Sequence, residues 1–504
     1  MSATGKAAAR KVAVVGAGFG GLALAIRLQS GGLDVTLIEG RDKAGGRAYV
    51  YEDEGFTFDA GPTVITDPDC VEELFALSGR KSSDYVTLLP VEPFYRLCWE
   101  DGDVFDYVND QAELDAQIAR KNPADVAGYK RFLKYSEELY QEGYIKLGHV
   151  PFQQVGSMLA SAPQLIKLEA YRSVYDKVCG FVKDDHLRQA LSFHTLLVGG
   201  SPFAASSIYA LIHALERRGG VWFAQGGTNA LVKALARLFQ DLGGTLRLSD
   251  PVQEIRTERG RTTGVVHADG SFEAFDAVAS NADVVHTYAS LLKNDPRGRS
   301  VGKALKRKRF SPSLFVLHFG LNQPQPHLRH HTICFGPRYK GLIDEIYGKN
   351  ALADDFSLYL HSPCATDPSL APPGCSTHYA LSPVPHLGTA KIDWAVEGPR
   401  YRDRILDYLE AHYIPHLRDN LVTTRIFTPK DFETELNAYQ GSAFSLEPVL
   451  TQSAWFRTHN RDDVIPNLYF VGAGTHPGAG VPGVIGSAKA TSGLMLADLL
   501  GGDQ

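Results

Sequence analysis

Apolar and polar positions along this chain fall into two regimes. Val12-Ala13-Val14-Val15 is a short, uninterrupted apolar run, the pattern of a strand covered on both faces in a parallel sheet. Glycines follow at 16, 18, 20 and 21, and apolar residues resume over 22–28 at helical spacing. Residues 34–39 repeat the strand pattern and end in Glu39. Strand, glycine turn, helix and strand make a βαβ unit. Residues 55–63 alternate and close on the turn Ala60-Gly61-Pro62-Thr63.

From about 81 to 218 the regime changes, and aromatic and aliphatic residues mix with charge at helical spacing. Residues 187–198 read as one helix stopped by Gly199-Gly200-Ser201-Pro202, and 204–215 as a second. Their periodicity fits core helices of a second domain and the apolar lining of a lipid channel alike. The first regime then returns. Residues 226–239 read as a glycine turn opening a helix, 244–248 and 252–255 as short strands, and 277–282 as a strand rejoining the sheet. The apolar, Pro-rich stretch 359–387 reads as irregular wall. Residues 467–471 form a last strand, and 484–500 a last helix.

The spacing of Gly16, Gly18 and Gly21 gives the first turn a chemistry. Gly16 permits the tight turn, Gly18 lets backbone approach a pyrophosphate, and Gly21 lets the helix press on the strand; Ala17 and Gly20 complete the cradle. Glu39 lies 23 residues after Gly16, close to the roughly 20 expected of the acid that holds ribose hydroxyls. Gly40 and Arg41 follow, then Gly45-Gly46-Arg47, where glycines let backbone pass a diphosphate and the arginines offset its charge. Near the C-terminus, 467–483 runs a strand into a turn dense in glycine, including Gly472 and Gly474. So many glycines cost conformational entropy and call for a ligand. His476 is the titratable residue of that turn and the one candidate catalytic group; a plain hydrogen bond to the turn is the favoured role for it.

Composition narrows the class. The chain of 504 residues is long enough for two or three core-bearing units. A net charge of −6 argues against nucleic acid as a partner. The cysteines at 70, 98, 179, 334, 364 and 375 form no C-x-x-C pair, so neither a zinc site nor a disulfide framework is suggested, and a reduced setting fits. Residues 1–10 show no secretory signal pattern, and the charge-free stretch 467–488 is broken by glycines and by Pro477 and Pro482, so no membrane span is expected. Lys303, Lys306, Arg307, Lys308 and Arg309 form a basic run, read first as a solvated helix face and otherwise as a dock for anionic lipid head groups. His327, His330 and His331 sit beside prolines with no carboxylate at ligand spacing, and a surface loop is expected rather than a metal site.

Together, the glycine cradle, Glu39, Gly45-Gly46-Arg47 and Phe58-Asp59-Ala60-Gly61 resemble the flavin-binding start of the amine-oxidase and phytoene-desaturase superfamily. The closing motif from Asn467 to Gly483 resembles the C-terminal signature of bacterial-type phytoene desaturases, and the likeness spans essentially the whole chain. It implies an α/β fold: a Rossmann-like FAD-binding domain of the two-dinucleotide-binding-domain flavoprotein type, a second α+β substrate domain, and a helical membrane-facing part. The expected FAD segments are 11–80, 215–300 and 455–504; the expected substrate segments are 81–214 and 301–454. FAD is the cofactor implied, with Gly61, Pro62, Thr63, Asn281, Val484 and Ile485 added to its contacts and Val252 meeting the adenine. One departure stands out. Many relatives place an acid after the last strand's glycine, and here that residue is Ala473.

The resemblance further implies FAD-dependent desaturation of phytoene to lycopene in successive steps, by hydride transfer from allylic carbons to the flavin N5. Phytoene and partly desaturated carotenoids are then the substrates, oxygen or a quinone the electron acceptor, and a membrane lipid surface the partner. The expected place is peripheral, on the cytoplasmic face of the cell membrane, with self-association left open. A carotenoid isomerase or ketolase, an amine oxidase, or a non-redox prenyl-binding escort protein would share the cofactor domain.

Overall fold

The computed structural model describes residues 9–349 and 352–501; the N-terminal lead 1–8 lies outside the described residues. In chain order, β1 (Lys11–Val15), α1 (Phe19–Ser30) and β2 (Asp34–Ile38) form the expected βαβ unit. β3 (Tyr95–Trp99) and β4 (Val104–Tyr107) precede helices α2 (Val155–Lys167), α3 (Leu211–Gly219) and α4 (Thr228–Asp241). β5 (Thr245–Arg247) and β6 (Ala277–Ser280) follow. Next come β7 (Ser313–Leu321), β8 (His331–Phe335), β9 (Leu358–His361), β10 (Ser376–Val384) and β11 (Leu421–Phe427). β12 (Leu468–Phe470) and α5 (Val481–Leu500) end the chain.

Two sheets organise these elements. The first is five-stranded, in the order β12-β6-β1-β2-β5, and every pairing in it is parallel. Val12 and Val14 pack with α1, α4 and α5 on one face, while Ala13 and Val15 pack with Val284, Val285 and Tyr288 on the other. Cover on both faces is why the strand is an unbroken apolar run. Helix α1 is buried from Phe19 through Leu28 and lies against α5. Within the opening turn only glycine fits at 21, where a Cβ would stand 2.0 Å from the Gly16 carbonyl oxygen; at the end of α1, a Cβ on Gly31 would press on the Leu496 side chain of α5 at 2.6 Å.

The second sheet has seven strands, in the order β11-β7-β10-β9-β8-β3-β4, antiparallel except where β8 runs parallel to β3. Phe315, Leu317, Phe319 and Leu321 of β7 pack under the helix Trp394–His412. Leu314 and Val316 alternate onto the opposite face, toward the interior between the layers. Strands of the first sheet come from 11–80, 215–300 and 455–504, and those of the second from 81–214 and 301–454, so the chain passes repeatedly from one layer to the other.

Several expectations need correcting. Residues 187–198 are not one helix: Asp185–Ala190 is α-helical, and Phe193–Val198 is a tight three-residue-per-turn helix that ends on Gly199 at φ +77°. The 204–215 region is likewise split, with a short helix Ser207–Ala210 leading into α3. The stretch 359–387 holds two central strands, β9 and β10, rather than irregular wall. Among the described residues no helix is long and apolar enough to cross a membrane.

Candidate functional site

A cavity of about 740 Å³ is lined by residues of both layers. At one end, Gly16, at φ +97°, turns the chain out of β1, and Gly18 precedes α1 without any side-chain cap. The first N–H groups of that helix are therefore open to an anion. Glu39, at the end of β2, is 8% exposed; its carboxylate accepts the Ala17 N–H at 2.8 Å and the Arg41 N–H at 3.0 Å. It thus fixes the turn, and its remaining lone pairs face the cavity. Gly45 and Gly46 bring a second turn against Gly18, within 3.7 Å of where a Cβ on Gly18 would stand.

The closing motif meets the opening one. Asn281 donates from Nδ2 to the Gly16 carbonyl at 3.2 Å, and a Cβ on Gly20 would lie 3.2 Å from the Gly472 Cα. The turns, though 452 residues apart in sequence, are in contact. Gly480, at φ +98°, leads into α5, whose N-terminus also lacks a side-chain cap. Two uncapped helix N-termini therefore bound this end.

Gly16, Gly18, Gly20, Glu39, Gly40, Arg41, Gly45, Gly46, Arg47, Gly61, Pro62, Thr63, Val252, Asn281, Val484 and His476 all line the cavity. Ala17, Gly21, Gly472, Gly474 and Ile485 do not, and each has a packing role instead. The Ala17 N–H is taken by Glu39, and Gly21 abuts Gly16. A Cβ on Gly472 would stand 2.5 Å from Asn281 Oδ1, and one on Gly474 2.4 Å from Val284. Ile485 is buried in the core under the first sheet.

Charge at this end is unevenly satisfied. Arg41 lies over the Tyr49 ring at 3.7 Å and pairs with Glu435 at 3.0 Å. Arg47 is drawn below its usual range by burial, with Asp283 opposing, and its Nε has no hydrogen-bond partner. Asp283 was missed from sequence. One of its oxygens caps Val285 and His286, while the other is buried without a partner; burial raises its carboxyl above the usual range and the two backbone N–H groups and Arg47 pull it back. An orphaned guanidinium nitrogen, an orphaned carboxylate oxygen and two open helix ends are the groups that a diphosphate and ribityl hydroxyls would satisfy. The residues present fit FAD, and Asp283 is an acid near the place where Ala473 offers none.

His476 lines the cavity and is hydrogen-bonded to a neighbouring segment. Its Nε2–H donates to the Leu147 carbonyl at 2.8 Å, its ring meets Phe152 edge-on, and burial holds it at about 4. Its Nδ1 is buried without a partner.

Away from the glycine turns the wall is mostly aliphatic and aromatic: Leu196, Leu211, Leu215, Leu314, Val316, Ile333, Phe335 and Leu381 among others. It extends to Met158, Ser161 and Leu165 of α2, whose neighbours Leu159 and Ile166 are 66% and 64% exposed. Polar groups interrupt it in two places. Thr63 Oγ1 is 2.9 Å from both the Tyr359 and Tyr379 hydroxyls, and Tyr359 reaches His331 Nδ1 at 2.6 Å. The Tyr95 hydroxyl donates to Glu216 at 2.7 Å.

The histidine loop is corrected here. His327 is exposed, but His330 and His331 are buried at the start of β8. His330 bonds Thr366 Oγ1 at 2.6 Å and faces His361 across 3.1 Å. Burial holds His330 at about 3 and puts His331 and His361 well below the usual range, so all are neutral. The ring nitrogens of His330, His331 and His361 lie within 4.8 Å of one another, as do the ligand-type atoms of His194, His213 and Glu216. His330 and His331 are adjacent, and His213 and Glu216 lie three apart on α3; His361 and His194 join them only through the tertiary fold.

Residues 19–496 match the family described as flavin containing amine oxidoreductase. A phytoene desaturase (lycopene-forming) of Pseudescherichia vulneris is 64% identical over 490 residues, covering 97% of this chain and 100% of that one. A protein of the same name from a Paracoccus species is 65% identical over 492 residues, with 98% of each chain covered. The solved cyclohexylamine oxidase of Brevibacterium oxydans aligns with a TM-score of 0.62 at 15% identity over 98% of this chain and 100% of that one, a likeness of fold alone.

Proposed function

The chain belongs to the flavin containing amine oxidoreductase family, and from that premise we propose that it is an FAD-dependent phytoene desaturase of the lycopene-forming kind. The observation that carries this reading is one continuous cavity, polar and glycine-lined where the two turns meet and apolar beyond them. Relatives at 64% and 65% identity bear that activity in their names. FAD, when bound, supplies a hydride acceptor. Arg47 and the uncapped N-termini of α1 and α5 would hold it at the cofactor end, and Asn281 keeps the two turns together. The apolar wall excludes water and binds a long polyene by area, at roughly 25 cal/mol per Å².

Membrane docking at the far end of the cavity is part of the proposal, as is a peripheral place on the cytoplasmic face. Its support is the exposed apolar side of α2, which packs against Ala454–Phe456, where Leu450 and Phe456 are also exposed. The basic run adjoins the same surface, for Lys308 Nζ donates to the Phe456 carbonyl at 2.6 Å. With FAD bound, oxygen or a quinone would serve as the acceptor that re-oxidises it, and association between copies is compatible with the reading. The test is incubation of the FAD-loaded protein with phytoene in liposomes, followed by polyene absorbance. Lycopene is the expected product; protein that holds no flavin and lacks its visible absorbance would favour a non-redox escort, and FAD-loaded protein that forms no polyene ends this proposal.

A further inference from the structure

His330, His331 and His361 take no part in the cavity: all three are buried and none lines it. Strand register brings them together behind its wall. His331 opens β8 and stands directly opposite His361, the last residue of β9, so the two side chains share one face of the sheet. His330 lies just before the strand. The Ser362 N–H donates to its carbonyl at 2.9 Å, and its ring folds against both others, with centroids 4.4 and 4.9 Å away. We propose that these three imidazoles bind one divalent metal ion of the zinc class, through one ring nitrogen each, with water in the fourth place.

The ring nitrogens divide into two sets. Nδ1 of His330 meets Thr366 Oγ1 at 2.6 Å, and Nδ1 of His331 meets the Tyr359 hydroxyl at 2.6 Å. Metal-ligating histidines are held in this way, with the far nitrogen bonded to an oxygen that fixes tautomer and ring orientation. Nε2 of each is left to ligate. Nε2 of His330 stands 3.1 Å from Nε2 of His361, and Nε2 of His331 is buried with no partner among the described residues. Two nitrogens at about 2.0–2.1 Å from a tetrahedral ion stand about 3.3–3.4 Å apart, close to the observed pair. A shared proton would account for that pair, but not for the orphaned nitrogen of His331. One nitrogen of each ring lies within 4.8 Å of the others, so at most about 1.5 Å separates the set from the spacing around an ion.

Ligand chemistry selects the ion. Imidazoles with no carboxylate among them suit zinc and its neighbours rather than calcium or magnesium. Burial keeps all three neutral, the form that ligates. A buried cation needs an anion nearby. Asp367 supplies one: it is 4% exposed, it is held by the Gly226 N–H at 2.7 Å and the Ser369 hydroxyl at 2.7 Å, and its charge acts on His330. The other grouping, His194 with His213 and Glu216, is already spent. His213 has Nε2 on the Leu191 carbonyl at 3.0 Å and Nδ1 on the Tyr107 hydroxyl at 3.1 Å. An ion on the three histidines would pin β8 to β9. It would also fix Nδ1–H of His331 as donor to Tyr359, whose hydroxyl then donates to Thr63 at the cavity wall.

The proposal goes beyond the desaturase reading, and its readouts need no polyene. The FAD-loaded full chain is stripped with a chelator and titrated with Zn2+ alone against a chromophoric competitor. Wild type is expected to take up one Zn2+ per chain and to gain in Tm. His361→Asn should bind it at least about 100-fold more weakly, and Thr366→Val, which removes only the oxygen behind His330, about 10-fold more weakly. The exposed His327→Ala should leave affinity unchanged. X-ray absorption of the bound zinc should report three imidazoles and no sulfur. Wild type that takes up no stoichiometric Zn2+ overturns the proposal, as does His361→Asn with wild-type affinity. Binding lost with His327→Ala marks adventitious surface zinc and overturns it too. If His361→Asn does not fold, the wild-type imidazole count decides: three support the site, and fewer overturn it.

Discussion

The two ends of the cavity are built on opposite plans. The cofactor end is made of backbone brought close, with glycine where any side chain would collide, and its polar groups point inward with bonds to spare. The apolar end is made of side chains from six or more strands and helices, with its polar groups withdrawn behind the wall into hydroxyl–imidazole networks. Rigidity at the first comes from steric necessity. At the second it comes from packing that tolerates exchange of one hydrophobic group for another.

The comparison can be broken most severely at Gly21. Gly21→Val would drive a side chain into the Gly16 carbonyl, already 2.0 Å from a bare Cβ; flavin absorbance per protein should vanish and Tm should fall sharply. Glu39→Ala releases the Ala17 and Arg41 N–H groups and any ribose contact. With hydrogen bonds to charge worth about 1.5–3 kcal/mol, FAD affinity should drop on the order of 100-fold, measured by fluorescence titration, with the wall unaffected.

Acid tests the other end. Burial holds His318 at about 4 and His330 and His378 at about 3. Each is neutral in the fold and gains a proton on unfolding. Its contribution is therefore complete above the free value of 6.5 and is lost as pH falls toward the folded one. Each can cost up to about 2 kcal/mol by pH 5. Tm should decline between pH 7 and 5, and His378→Gln should flatten that slope by nearly one proton. The mildest change is Val316→Ala, which removes two buried methyl groups from the wall. It should weaken carotenoid retention by about 1 kcal/mol, or about fivefold, and leave FAD binding intact.

The same contrast explains what could be read from the chain. The opening cradle was legible because Gly16, Gly18, Gly21 and Glu39 carry their geometry in local spacing. Gly472 and Gly474 are crowded by Asn281 and Val284, and Ile485 sits in the core under the first sheet; a glycine required by a neighbouring side chain looks the same in sequence as one required by a ligand. Residues 359–387 look irregular in sequence because their prolines raise the count for the whole stretch without belonging to its strands. Pro363, Pro368, Pro372 and Pro373 fall in the connection between β9 and β10, and Pro383 at the end of β10, so the strand itself runs nearly free of them. Glu216, in Leu215-Glu216-Arg217-Arg218, resembles a solvated helix charge, and only the tertiary fold turns it inward.

The order in which the chain visits its layers also governs when the enzyme can first exist. β12 is the edge partner of β6, and the N-terminus of α5 completes the flavin end. A ribosome making this protein releases the opening cradle more than 400 residues before Gly472, and the cradle waits without its counterpart over that interval. Flavin capture therefore waits on β12 and α5, and a chain stopped before α5 would emerge colourless.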